Sequence, residues 1–316
     1  MRLTRLTRLN GLPLAVAGLL LLTACGTEQP GADSAGPTSP PACGPGADPS
    51  EATRVPEASA SPAQDGVTII GTGSGGAGSG ARPCAAYSVT SRETEPFTYV
   101  VTVGFLSDTG QALADVEDTV QAVAPGKTVR RTVTAPDLPP DAPAGRGRAR
   151  IVKVRSLPAS EAPSAGGTCP STGLRVYADE GDAAMGLRVV GLHLENCGTR
   201  PYRLSGYPRV EIRDEDHDRV GSVSIVQGGE AIAGGTGADG PPRQLELRPG
   251  ERAHAGLVWR NTVEGGAGDP VNAPYARVWA KPGAAPVTVI PELDLGTTGK
   301  LGVGPWKKDE GQGGTG

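Results

Sequence analysis

Tyr99-Val100-Val101-Thr102-Val103-Gly104-Phe105 is the stretch on which the fold turns. Tyr99, Val101, Val103 and Phe105 recur at every second position, which puts them on one face of a pleated strand; a helix would bring such residues back at every third or fourth. Ser107-Asp108-Thr109-Gly110 follows as a turn, Val129, Arg131 and Val133 alternate again, and Ile151-Val152-Lys153-Val154 closes the set. Leu113, Val116 and Val120 are spaced as on a helix. Thr119 to Val123, however, alternates straight into Pro125-Gly126, a favoured type II turn pair, so a strand is expected there too. Residues 65–157 therefore read as a small β-sandwich.

Toward the C-terminus a Pro/Ala/Ser/Gly stretch, 158–168, reads as a linker to a second sandwich over 169–306, with a disordered tail at 307–316. Leu174 and Val176, then Val190, Leu192 and Leu194, then Val210 and Ile212, then Leu245 and Leu247, then Leu257 and Trp259 all alternate. The inward set changes phase between Val189 and Val190 beside Gly191, which suggests a β-bulge. Gly228 to Pro242 is Gly-rich and reads as a mobile inter-strand loop. Val123-Ala124-Pro125-Gly126-Lys127-Thr128-Val129 and Leu247-Arg248-Pro249-Gly250-Glu251-Arg252-Ala253 share one form, apolar-x-Pro-Gly-x-x-apolar. Either two like sandwiches are present, or Pro-Gly is simply a good turn pair. The expected class is all-β, with two small Ig-like β-sandwich domains.

Toward the N-terminus, Arg2, Arg5 and Arg8 precede Gly11-Leu12-Pro13-Leu14-Ala15-Val16-Ala17-Gly18-Leu19-Leu20-Leu21-Leu22-Thr23-Ala24 without an acidic residue, the pattern of a secretory signal peptide over 1–24. The apolar run of about 14 residues would span roughly 21 Å as a helix, short of the roughly 30 Å hydrocarbon core. Leu22-Thr23-Ala24-Cys25 resembles a lipobox, in which the cysteine is lipidated and the chain is cleaved before it. The expectation is a palmitate-type acyl anchor at Cys25, an extracytoplasmic location at the outer face of the membrane, and a disordered tether over 25–64, whose Gly, Ala, Ser and Pro content cannot offset the entropy of ordering.

Export agrees with the cysteines. Setting Cys25 aside leaves Cys43, Cys84, Cys169 and Cys197, which allow three pairings; their clustering favours Cys43 with Cys84 and Cys169 with Cys197. They lack the C-x-x-C spacing of a zinc site, and no metal or cofactor is expected. Net charge is −4 and becomes −7 once Arg2, Arg5 and Arg8 leave with the leader, a poor surface for nucleic acid. With 48 Gly and 30 Pro in 316 residues, much of the chain cannot belong to a dense core.

The second sandwich resembles a family of uncharacterised extracytoplasmic domains common in actinobacterial lipoproteins, domain-of-unknown-function family 4232. Carrying the resemblance are Cys169, Leu192-His193-Leu194-Glu195-Asn196 ending in Cys197-Gly198, Leu204-Ser205-Gly206-Tyr207-Pro208, Leu247-Arg248-Pro249-Gly250 with Ala253 and His254, and Gly302-Val303-Gly304-Pro305-Trp306. A cysteine common in the family near the position of Tyr202 is absent, and Cys197 takes its role. The late cysteines of the family are absent between Asn272 and Leu301. The resemblance implies a β-sandwich in the cell envelope and no reaction.

Motifs with chemical meaning are few. Gly71-Thr72-Gly73-Ser74-Gly75-Gly76 has the G-x-G-x-x-G form, but Ala77 to Pro83 cannot make the helix a dinucleotide needs. Gly126-Lys127-Thr128 ends like a P-loop, yet Gln121 stands where the first glycine belongs. Asp214-Glu215-Asp216-His217-Asp218 opens like a calcium loop, but Arg219 replaces the glycine and Ile225 the bidentate glutamate. A solvated acidic hairpin tip and a looser calcium-binding turn both stay open. His193, His217 and His254 are the only histidines, and no G-x-S-x-G elbow occurs. The expected function is a non-enzymatic binding module with a cell-envelope protein or wall polymer as partner. The alternative is an extracytoplasmic hydrolase or metal-dependent enzyme using His193 and His254.

Overall fold

The computed structural model describes residues 64–75, 82–136, 148–265 and 268–309. Among them there is no α-helix, and none long and apolar enough to cross a membrane. The N-terminal strands are β1 (Val67–Gly75), β2 (Arg82–Thr90), β3 (Phe97–Leu106), β4 (Ala112–Val123), β5 (Thr128–Thr134) and β6 (Arg148–Pro158), followed by one 3₁₀ turn, Ala159–Glu161. Next come β7 (Leu174–Ala178), β8 (Asp182–Ala184), β9 (Leu187–Asn196), β10 (Tyr202–Ser205), β11 (Arg209–Arg213), β12 (Ser224–Gln227) and β13 (Gln244–Leu247). The last are β14 (Arg252–Arg260), β15 (Val271–Ala273), β16 (Tyr275–Trp279), β17 (Pro286–Val289), β18 (Leu293–Gly296), β19 (Lys300–Val303) and β20 (Lys307–Lys308).

Two hydrophobic clusters divide these strands into two lobes. In the N-terminal lobe the sheet β1-β2-β5 faces the sheet β4-β3-β6. Tyr99, Val101, Val103 and Phe105 of β3 are all buried, and they meet Val67, Ile69, Tyr87, Val89 and Val133 of the opposite sheet. The C-terminal lobe sets β12-β19-β14-β9-β7, with β8 on β9 and β20 on β14, against β11-β16-β17 and β10-β13. Its core joins Val190, Leu192, Leu194, Leu257 and Trp259 to Leu204, Ile212, Leu247, Val278 and Val289. Both buried tryptophans satisfy their ring N–H: Trp259 Nε1 donates to Asp294 Oδ1 at 2.7 Å and Trp306 Nε1 to the Ala280 carbonyl at 2.9 Å.

The two Pro-Gly segments hold matching places. Ala124-Pro125-Gly126-Lys127 closes on a Lys127 N–H to Ala124 carbonyl bond of 3.0 Å with Gly126 at φ +67°, and Arg248-Pro249-Gly250-Glu251 on an equivalent bond of 2.9 Å with Gly250 at φ +84°. Each turn passes the chain from one sheet to the other. Each is pinned the same way: Gly126 N–H donates to Ser91 and Ser91 N–H to Lys127, while Gly250 N–H donates to Asn196 and Asn196 N–H to Glu251. On this match β2 and β5 correspond to β9 and β14. β3, which pairs with both β4 and β6, corresponds to β10 and β11, which pair with β13 and β16 respectively. The two lobes thus share one strand plan.

Two expectations change. The register of β9 on β14 runs unbroken from Leu187↔Arg260 to Glu195↔Arg252, so Gly191 is no bulge. The irregularity lies in its other neighbour, where β7 gives way to β8 and the Asp179 carboxylate accepts the Gly191 N–H at 2.8 Å. Gly228 to Pro242 does join β12 to β13, but it lies on the sheet: Ala238 is fully buried, and a Cβ on Gly302 or Gly304 would come within 2.7 Å of Gly228 or 2.9 Å of Ala238. The glycines of Gly302-Val303-Gly304 are there to let that loop approach.

Candidate functional site

The lobes meet along β6, the segment after it, and the outer face of β16 and β17. Ser156 N–H donates to Tyr275 Oη at 3.0 Å. Arg155 donates to both Glu292 oxygens, at 3.0 and 2.9 Å, and Lys153 Nζ lies 3.0 Å from the same carboxylate. Within the stretch expected as a linker, the Glu161 carboxylate accepts from Arg277 Nε and Nη2 and from the Thr288 hydroxyl. These bonds flank a groove of about 1320 Å³. Thr119 and Gln121 line one wall, Tyr177, Tyr202, Lys281 and Val287 the other. The Tyr202 hydroxyl is buried with no hydrogen-bond partner among the described residues, burial pushes its pKa up, and Lys281 Nζ sits 3.9 Å from the ring centroid. Aromatic faces, hydroxyls, amides and a cation in an open trough suit a polar, extended ligand rather than a compact apolar one.

His193 and His254 come together. They are direct register partners on β9 and β14, so their side chains leave the same face of the sheet, in a row with Tyr177 and Lys307. Each ring is held by a carboxylate: His193 Nε2 donates to Asp179 Oδ2 at 2.9 Å and His254 Nδ1 to Asp309 Oδ1 at 2.5 Å. His193 also stacks on Tyr177, with centroids 5.0 Å apart. Among the described residues no group of three or more His, Cys, Asp or Glu is placed to hold a metal ion.

His217 is elsewhere, and its setting escaped the sequence reading. The 214–218 segment is a turn in which Asp214 Oδ1 accepts the Asp216 and Asp218 N–H groups at 3.1 and 2.8 Å. Its tip is not simply solvated. The His217 ring stacks on Tyr275 at 4.5 Å and meets Phe97 edge-on at 5.7 Å, and burial holds its imidazole below the usual histidine range. Alternation cannot reveal such a residue, because its partners lie 120 positions before and 58 after it.

Gly71 to Gly75 belongs to β1, paired with β2, and Gly126-Lys127-Thr128 is the inter-sheet corner; neither meets a helix N-terminus. Cys169 is bonded to Cys197 and ties the entry of the C-terminal lobe to the end of β9. Cys84 is disulfide-bonded as well. Its expected partner Cys43, like Cys25 and the leader, lies outside the described residues.

Fold and site together define a two-lobed, disulfide-bearing all-β module. Residues 169–307 match the family model of a domain of unknown function (DUF4232), the family that the C-terminal part resembles in its sequence motifs. No curated protein matches the chain.

Proposed function

We propose that the chain is an extracytoplasmic lipoprotein, acylated at Cys25 and held at the outer face of the cell membrane, whose two-lobed body is a non-enzymatic module binding an envelope protein or a wall polymer. The observation that carries this reading is Leu22-Thr23-Ala24-Cys25 directly behind an arginine-led apolar run. The Cys169–Cys197 bond is consistent with an oxidising compartment. The groove between the lobes, with Tyr177, Tyr202 and Lys281 facing into it, is the ligand surface of this proposal. Radiolabelled palmitate should enter the wild-type chain and not the Cys25→Ala chain, and the variant should leave the membrane fraction. A variant that stays membrane-bound would sink the anchoring half. Retention of isolated wall polymer or an envelope protein by the wild-type chain, weakened in Tyr202→Ala, tests the binding half.

The side-by-side Asp179–His193 and His254–Asp309 pairs favour one second reading, a hydrolase or metal-dependent enzyme. Turnover on a broad panel of ester, amide and glycoside substrates, abolished by His254→Gln, would establish it.

A further inference from the structure

We propose that His217 is a proton-sensitive clasp between the two lobes. Its backbone sits at φ +64°, a region that residues other than glycine rarely occupy, and it is held there by its own turn. His217 N–H donates to the Asp214 carbonyl at 3.1 Å, and Arg213 Nη1 donates to the His217 carbonyl at 2.6 Å. So fixed, the ring fills a slot between Phe97, which opens β3 of the N-terminal lobe, and Tyr275, which opens β16 of the C-terminal lobe. Tyr275 in turn takes the Ser156 N–H from β6. One imidazole therefore touches both lobes where they are hydrogen-bonded together.

A neutral imidazole suits an aromatic slot, whereas an imidazolium loses hydration there. The groups that face it are Glu93 from the β2–β3 connection, Arg213, Asp214 and Asp216 from its own turn, and the Tyr275 hydroxyl from β16. Burial opposes the cation, Glu93, Asp214 and Asp216 favour it, Arg213 opposes it, and the balance lies with the neutral ring. The docked ring binds a proton less readily than a free one, whose pKa is about 6.5, so acidification below about 6.5 favours the undocked arrangement. The Arg155–Glu292 and Lys153–Glu292 pairs beside it stay intact in this range, because they yield only where carboxylates titrate.

Hydrogen exchange of the full chain at about pH 7.5 and about pH 5, corrected for the intrinsic dependence of exchange on pH, reads the clasp. The Ser156 amide and the segments around Phe97 and Tyr275 should lose protection at the lower pH while β9 and β14 keep theirs. His217→Phe retains the ring stack without the proton, and its protection should be the same at both values. Equal protection of the wild type at both values overturns the proposal, and so does a loss in His217→Phe as large as in the wild type. Should that variant not fold, the histidine proton resonances of the wild type decide: the midpoint of the protection loss must coincide with the midpoint of His217, and a mismatch overturns the clasp.

Discussion

Tyr87 is fully buried, yet its hydroxyl donates to Asp118 Oδ2 at 2.6 Å, and Arg131 closes the group with two bonds of 3.1 Å to the same carboxylate. Burial, and after it the Asp118 carboxylate, push the Tyr87 hydroxyl far above its usual range. For Asp118 burial pulls upward, but the bonds from Arg131 and Tyr87 outweigh it and hold the carboxyl below its usual value. Asp118→Ala strands the Tyr87 hydroxyl in the core and should cost about 1–3 kcal/mol, the price of an unpaired buried donor. Arg131→Ala should cost less, about 0–1 kcal/mol, because that side chain is 47 % exposed and Tyr87 keeps its acceptor. Urea unfolding of the two variants separates these outcomes. Since the folded pKa of Asp118 lies below the unfolded value of about 3.9, its contribution is present above that value and is lost as pH falls through the folded one. The sequence set Arg131 in phase with Val129 and Val133, as β5 holds it; it held no sign of Asp118, because a partner on the facing sheet leaves no periodic trace.

The strand carrying Arg131 is also an edge. No strand pairs with the outer side of β5 among the described residues, whereas its counterpart β14 is flanked by β19 and β20. In matched register, Arg131 opposite Tyr87 corresponds to Ala255 opposite Leu192, and Ala255 is buried. An inward-pointing charge at an open edge obstructs pairing with another chain, while a covered edge needs no such guard. Arg131→Val should therefore promote concentration-dependent self-association, seen as a rising mass in sedimentation, while the same change in phase at Ala255 has no edge to expose. At this scale alternation was legible wherever one face met a core: Tyr99 to Phe105 and Val190 to Leu194 lie as their spacing requires. It misled at Val189, whose half-buried side faces out beside β8 rather than across a bulge. Hydropathy alone cannot tell a core from a surface covered by another segment, and Ala238 over Gly256 and Gly304 repeats the lesson.

The plan shared by the lobes was legible only as the Pro-Gly echo, for the corner is local and the strands around it are not. How the lobes meet was illegible, because the contacts join residues as far apart as Glu161 and Arg277, or Arg155 and Glu292, with nothing in their neighbourhoods to match them. Those contacts are polar and few beside the two apolar clusters. Beside the His217 stack, the coupling of the lobes should therefore be electrostatic and separable from the stability of either. For Glu292 burial raises the carboxyl, but the bonds from Arg155 and Lys153 outweigh it and hold it below its usual range. Its part in the coupling is thus present above the unfolded value of about 4.3 and lost as pH falls through the folded one, well below the range in which His217 acts. Replacing Glu292 leaves Arg155, only 16 % exposed, and Lys153 as neighbours of like charge, with Glu215 alone at 3.4 Å to offset them. Replacing Glu161 frees Arg277 and Thr288 together. The Glu161→Gln/Glu292→Gln chain should unfold in two calorimetric transitions where the wild type shows one, with the order of melting set by the smaller N-terminal core. A single transition in the double variant, at an unchanged enthalpy, would mean that apolar contact across the junction couples the lobes without help from these charges.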